Sequence, residues 1–216
     1  MPRSAQQSGA QSVEFWYEFA STYSYLSVLR IEEAASEAGV PVLWRPFLLG
    51  PIFAAQGWSD SPFNIYKAKG EHMWRDLERR AEGYGLPFRR PSAFPRNGLL
   101  AARVALVAER EGWCGDFSRA VFRANFVVDR DVGDREVISD IVGTLGRDPQ
   151  TILCRAGDAA NKAGLRERTN AAQRNGIFGA PSFLVGGELF WGDDRLEDAL
   201  AWARSSVGAQ LESASS

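Results

Sequence analysis

Along the first fifty residues the spacing of apolar positions changes twice. Val13, Phe15, Tyr17 and Phe19 alternate with Glu14, Trp16 and Glu18, a period of two that predicts a strand over 13–19. Trp16 falls on the nominally polar side, so the second face of that strand is expected to be partly covered as well. From Thr22 the spacing becomes helical and runs to about Ala38, where Gly39 and then Pro41 stop it. Residues 41–48, PVLWRPFL, predict a second strand. Pro46 has no amide hydrogen for a ladder and weakens that strand or assigns it to a sheet edge. A β-α-β start of this kind places its two strands parallel in one sheet.

The stretch Leu49 to Phe63, LGPIFAAQGWSDSPF, reads as a loop too long for a simple connection, and therefore as a lid or pocket wall. Helical spacing then predicts helices over Tyr66–Tyr84, Gly98–Glu111, Asp116–Val128, Asp134–Leu145, Pro149–Gly157 and Leu165–Arg174. Asp116 and Asp134 suit N-caps, and Gly164 reads as a break. The chain then returns to strand: Ala180 to Val185, a Gly186-Gly187 turn, and Glu188 to Trp191. A last helix, capped by Asp193 or Asp194, is expected to end near Ala203. This order predicts a small sheet domain formed by 12–50 and 176–205. An inserted loop and helical domain occupies 51–175, and flexible tails lie at 1–11 and 206–216.

Composition narrows the chemistry. The 216 residues suffice for one large domain or a small one with an insertion, and 45% hydrophobic content supports a substantial core. Aromatics make up 12%, with seven Trp, which fits a deep core or an aromatic-lined pocket. A net charge of −2 argues against a dedicated nucleic-acid binder, and the pairs Arg79-Arg80 and Arg89-Arg90 read as solvated helix faces. The two cysteines, Cys114 and Cys154, cannot form a Cys-x-x-Cys pair or a Cys-rich zinc site, though a disulfide between them stays open. His72 lies in a run of charges with no second ligand nearby, so no metal is expected. The polar N-terminus does not resemble a signal peptide and no apolar run is long enough to span a membrane, which makes the cytoplasm the expected compartment.

The junction EFASTYSYL, Glu18 to Leu26, carries the candidate chemistry. Ser21 and Ser24 stand where a thiol–disulfide enzyme has its two cysteines. A helix N-terminus offers unpaired N–H groups and positive dipole character, which stabilise an anion such as a thiolate. Serine cannot exchange disulfides, but its hydroxyl can donate to an external thiolate, a charge-assisted bond worth ~1.5–3 kcal/mol. The plain structural alternative is that Ser21 is an N-cap and that Ser24 bonds within the first turn.

Four segments in register carry a resemblance. Phe19-Ala20-Ser21-Thr22-Tyr23-Ser24-Tyr25-Leu26 resembles the Phe-x-Ser-Pro-x-Ser-Tyr/Trp-Leu signature of kappa-class glutathione transferases and 2-hydroxychromene-2-carboxylate isomerases. Trp74-Arg75-Asp76-Leu77-Glu78-Arg79 with Tyr84-Gly85-Leu86-Pro87-Phe88 is similar to their second signature. Gly176-Ile177-Phe178-Gly179-Ala180-Pro181-Ser182-Phe183 and Trp191-Gly192-Asp193-Asp194-Arg195-Leu196 resemble the remaining two. Thr22 departs from the usual proline, a change the first helical turn tolerates. The resemblance spans about residues 12–203 and implies an α/β, thioredoxin-like β-α-β…β-β-α sheet domain with a large all-helical insertion of the DsbA type.

The resemblance also implies a glutathione-dependent isomerase that uses no metal. Glutathione's thiolate adds to a conjugated carbon, the former double bond rotates, and elimination restores the thiol. Ser21 would hold the sulfur ionised, with Ser24 as a candidate helper. The backbone of Ala180, ahead of a cis peptide to Pro181, would pair with the cysteinyl part, and Lys69 would meet a carboxylate. Trp191, Gly192, Asp193 and Asp194 would receive the γ-glutamyl end. Asn64, Lys67, Trp58, Arg96 and Asn97 are candidates for the substrate, a small electrophilic aromatic acid, with Phe63 and Tyr66 as further aromatic wall. Relatives imply a homodimer. A kappa-like transferase or peroxidase would share the site but consume glutathione, and a non-catalytic binding domain on the same scaffold would not bind it.

Overall fold

The two faces of the first strand bury into different cores. In the computed structural model, which describes residues 10–58 and 62–213 with the side chains of Pro62, Asn64 and 206–213 outside the description, β1 (Val13–Tyr17) lies inside a four-stranded sheet. It runs parallel to β2 (Val42–Pro46) and antiparallel to β3 (Ser182–Val185), which pairs antiparallel with β4 (Glu188–Trp191). The order β2-β1-β3-β4 leaves β2 at an edge, where Pro46 costs no ladder bond. Phe15, Tyr17 and Phe19 face a large core with Phe117, Phe122 and Phe126; the Phe19 and Phe122 rings stack at 5.4 Å. Trp16 points the other way into a smaller core with Phe47, Leu49, Ile52, Ala172 and Ile177. The Trp on the polar side of the strand thus has its own cover.

Helix α1 (Thr22–Ala38) follows β1 and ends where Gly39, at φ 66, returns its N–H to Ala35 and Ser36. Two short helices, α2 (Leu49–Ala55) and α3 (Pro62–Ile65), occupy the segment expected to be a loop. The physical reason for α2 is tertiary: Leu49 and Ile52 pack under Trp16, and Pro51 sits in the first turn, where its missing N–H has no intrahelical partner to lose.

The insertion continues with α4 (Lys67–Gly83), α5 (Leu99–Glu111), α6 (Cys114–Phe126), α7 (Arg135–Thr144), α8 (Pro149–Gly157) and α9 (Ala159–Arg174). Asp134 and Asp148 cap α7 and α8 by accepting the N–H groups of Glu136 and Thr151. Two expectations are corrected. Helix α6 opens after Trp113, so Asp116 lies inside its first turn, favoured there by the helix dipole instead of capping. Gly164 does not break α9: a methyl group there would touch Leu106 of α5 at 3.5 Å, so the glycine sits in a close helix–helix contact. After β4 a 3₁₀ turn (Asp193–Arg195) leads into α10 (Leu196–Ser213), which continues past Ala203. At the other end Ala10 packs on the large core and the Gln11 N–H meets the Ala203 carbonyl at 3.3 Å; residues 1–9 and 214–216 lie outside the described residues. Sheet and insertion share the large core.

Candidate active site

The end of β1, the start of α1 and the turn before β3 converge on one serine. Ser21, in extended conformation, is the N-cap of α1 and accepts the Ser24 N–H at 3.2 Å. Its hydroxyl donates to the Ala180 carbonyl at 2.8 Å, and the Ala180–Pro181 peptide is cis. The Gly192 N–H donates to the Pro181 carbonyl at 3.0 Å, which ties the exit of β4 to the same proline. Ser21 is therefore both a cap and a hydroxyl facing the Ala180 backbone. The two readings of that residue are compatible.

These groups open onto a cleft of about 930 Å³ between the sheet end and the insertion, a volume suited to a small-molecule site. One side is aromatic: Phe53 and Trp58 lie 5.5 Å apart, and Phe178 and Trp191, both about half exposed, lie 4.9 Å apart. The other side is polar, with Lys69, Asp76, Arg80, Asp193 and Asp194. The indole of Trp191 lies across Gly179, where a Cβ would come within 2.4 Å of Nε1. Gly179→Ala is expected to swing Trp191 off the cleft wall at a cost of about 1 kcal/mol, read as a small fall in melting temperature.

Not every residue expected at the site is found there. Ser24 is fully buried off the cleft, and its hydroxyl has no hydrogen-bond partner, so only its backbone N–H serves Ser21. Lys67 also lies off the cleft and pairs with Glu71 at 3.9 Å. Tyr66 lies outside the lining, its ring 4.9 Å from Lys69 Nζ, while Lys69 itself lines the cleft. The side chain of Asn64 lies outside the described residues. Trp58, Phe63 and Asn97 line the cleft, the last with its Oδ1 accepting the Leu99 N–H at 2.9 Å. Arg96 reaches the wall, but its guanidinium donates to Asn125 at 3.0 Å, to the Arg130 carbonyl at 2.8 Å and to Asp129 at 2.5 Å. The Ser92 N–H and then Arg96 hold the Asp129 carboxyl at about 2. Arg96 braces the wall through its Nη1 and Nη2 donors, while its buried Nε has no hydrogen-bond partner among the described residues.

Arg80 and Glu18 were missed. Arg80, read from sequence as part of a solvated helix face, enters the cleft and pairs with buried Asp193 at 2.7 Å while donating to the Tyr84 hydroxyl at 2.9 Å. Burial pushes the Asp193 carboxyl up to about 6 against the pull of Arg80, so this carboxylate is turned inward and engaged. Asp194 remains half exposed and pairs with Arg195 at 3.1 Å. Glu18 lines the cleft, accepts the Ala20 N–H at 2.9 Å, and is pushed by burial to about 7. Tyr23 donates to Asp76 at 3.0 Å, and burial followed by that carboxylate raises the phenol well above its usual value. The one signal in the sequence for Glu18 was its place three residues before Ser21. Cys114 is a buried free thiol raised by burial to about 11, and Cys154 is exposed and also free. Among the described residues no cluster of His, Cys, Asp and Glu could hold a metal ion, and no helix is long and apolar enough to cross a membrane.

A serine at the strand–helix junction, facing the residue before a cis proline, defines a thioredoxin-fold site that carries no thiol of its own. The chain belongs to the DSBA-like thioredoxin domain family, whose model matches residues 12–201. It is 26% identical over 187 residues to a 2-hydroxychromene-2-carboxylate isomerase of Sphingobium xenophagum, covering 87% of this chain and 95% of that protein. A glutathione S-transferase kappa 2 of Caenorhabditis elegans is 23% identical over 177 residues, 78% of each chain. Among solved structures, a 2-hydroxychromene-2-carboxylate isomerase superposes with a TM-score of 0.82 at 25% identity, covering 94% of this chain and 99% of the other.

Proposed function

We propose that this chain is a glutathione-dependent isomerase that interconverts the cis and trans forms of an aromatic unsaturated acid of the 2-hydroxychromene-2-carboxylate type. The observation that carries this reading is the Ser21 hydroxyl at the start of α1, 2.8 Å from the Ala180 carbonyl, with no cysteine at the junction. A thiol must then come from outside. The donor set fits one: Ser21 and the first N–H groups of α1 favour a thiolate, and the Ala180 backbone offers an edge for a peptide-like ligand. When bound, glutathione supplies a nucleophile that adds reversibly to a conjugated carbon. The residues of the chain do the rest. Ser21 turns its hydroxyl from Ala180 toward the sulfur, Lys69 offers a cation to a carboxylate, and the Phe53, Trp58, Phe178 and Trp191 side provides an apolar surface for an aromatic ring. The isomerases among the relatives support this substrate class.

The test is turnover of 2-hydroxychromene-2-carboxylate. Conversion is expected to require glutathione and to leave its concentration unchanged. Conversion at full rate without glutathione, or no glutathione binding at millimolar concentration, overturns the reading. The kappa-class relative supports a second reading, a transferase or peroxidase, which a stable conjugate or oxidised glutathione, respectively, would establish.

A further inference from the structure

Glu18 is a carboxyl held in the cleft without a cation. It is 9% exposed, and among the described residues no Lys or Arg pairs with it. One oxygen accepts the Ala20 N–H at 2.9 Å, and the Glu18 carbonyl accepts the Ser21 N–H at 3.0 Å, so the residue is fixed against the turn that presents the catalytic serine. Gly98 closes over it: a methyl group there would sit 3.0 Å from Oε1 and 2.9 Å from the Phe19 Cβ. Only the smallest residue lets the chain cross this carboxyl.

The charged groups that share the cleft are engaged elsewhere. Arg96 is bound to Asp129, and Arg80 to Asp193. Asp76 accepts from Tyr23 and Arg79, and Arg195 lies between Asp194 and Asp198. Lys69 lies over Tyr66. Burial raises the carboxyl and the N–H groups of Ala20 and Ser21 lower it in part, with the balance at about 7. A buried, unpaired carboxyl beside the reacting groups is the usual setting of an acid–base residue.

We propose that Glu18 is the proton donor and acceptor of this cleft, serving the substrate's carbonyl oxygen. The proposal rests on the isomerase reading above. As a thiol nucleophile bonds to the conjugated carbon, the π electron pair moves onto the carbonyl oxygen. The Glu18 O–H bond then breaks and an O–H bond forms on the substrate. After rotation the proton returns to Glu18, the pair re-forms the double bond and the nucleophile leaves. Nothing is oxidised or reduced, and no net proton is consumed.

The test uses Glu18→Gln, which keeps the shape and an acceptor for the Ala20 N–H, with 2-hydroxychromene-2-carboxylate and glutathione as probes. Turnover is expected to fall by roughly 100-fold, the lower range for general acid–base catalysis, while calorimetry shows glutathione binding unchanged. In the wild type, turnover falls as pH rises through about 7, although the ultraviolet absorbance of bound thiolate stays constant. That alkaline limb disappears in the variant. A second readout needs no turnover: the pH dependence of thermal unfolding between the usual carboxylate range and neutrality flattens in Glu18→Gln. A variant that retains wild-type turnover or keeps the alkaline limb overturns the role of Glu18 alone. A wild-type turnover that is flat across neutral pH does the same and does not depend on the variant folding. A wild-type protein that fails to bind glutathione overturns the functional reading and, with it, this inference.

Discussion

On the isomerase reading, Ser21→Ala is expected to lower glutathione-dependent turnover by about 10- to 100-fold, because the N-cap hydroxyl of α1, which lines the cleft, would be the donor to the thiolate. A charge-assisted bond of ~1.5–3 kcal/mol would be lost, and the pKa of bound glutathione is then expected to rise by about one to two. Ultraviolet titration of the bound thiolate reads that rise directly. The same substitution removes the N-cap, but the bond to Ser24 is 3.2 Å long, so the structural cost stays near the low end of the ~0.5–2 kcal/mol range for caps. A fall in turnover much larger than the fall in melting temperature separates the two roles. Unchanged turnover with an unchanged thiolate pKa refutes the catalytic one.

The second large effect concerns stability. Arg80→Met strands Asp193, which is 2% exposed, without its cation. Removing one partner of a buried pair costs ~3–5 kcal/mol, and the value belongs toward or below the lower end here because the Arg80 side chain is a quarter exposed. The sign with pH follows from Asp193. Its folded carboxyl stands at about 6, above the usual 3.8, so its contribution to stability is fully present below 3.8 and is lost as pH rises through 6. Arg80 holds that value down. Without it the folded carboxyl moves higher and the loss extends further into the alkaline range. The gap in melting temperature between wild type and variant is therefore expected to be small at about pH 5 and large at about pH 8. A gap independent of pH would mean that the pair does not couple as the geometry implies.

What could be read from sequence was local or motif-borne. Gly39 and Asp134 mark helix ends through chemistry within a few residues, and both act as expected. The cis peptide before Pro181 and the hydroxyl of Ser21 came from motifs whose spacing the fold preserves. The failures share a cause. The partner of Arg80 lies 113 positions away, so nothing near it distinguishes it from a solvated helix face. Helix α2 forms because Trp16 needs cover, a fact visible only once β1 and that segment meet. Glu18 alternates as a surface strand residue should, and becomes a buried acid only because Gly98 crosses over it. Ser24 sits in the motif beside Ser21, yet three residues into the helix its side chain turns inward.

The large core joins Phe15, Tyr17 and Phe19 from the sheet end to Phe117, Phe122 and Phe126 from α6. The inserted helices are therefore not an accessory clipped onto an older fold, because cutting them away would strip the sheet of its cover. Grafting the insert of a relative onto this sheet would require recutting the aromatic seam on both sides at once. Trp58 and Phe178 border the cleft outside that seam and can vary without recutting it.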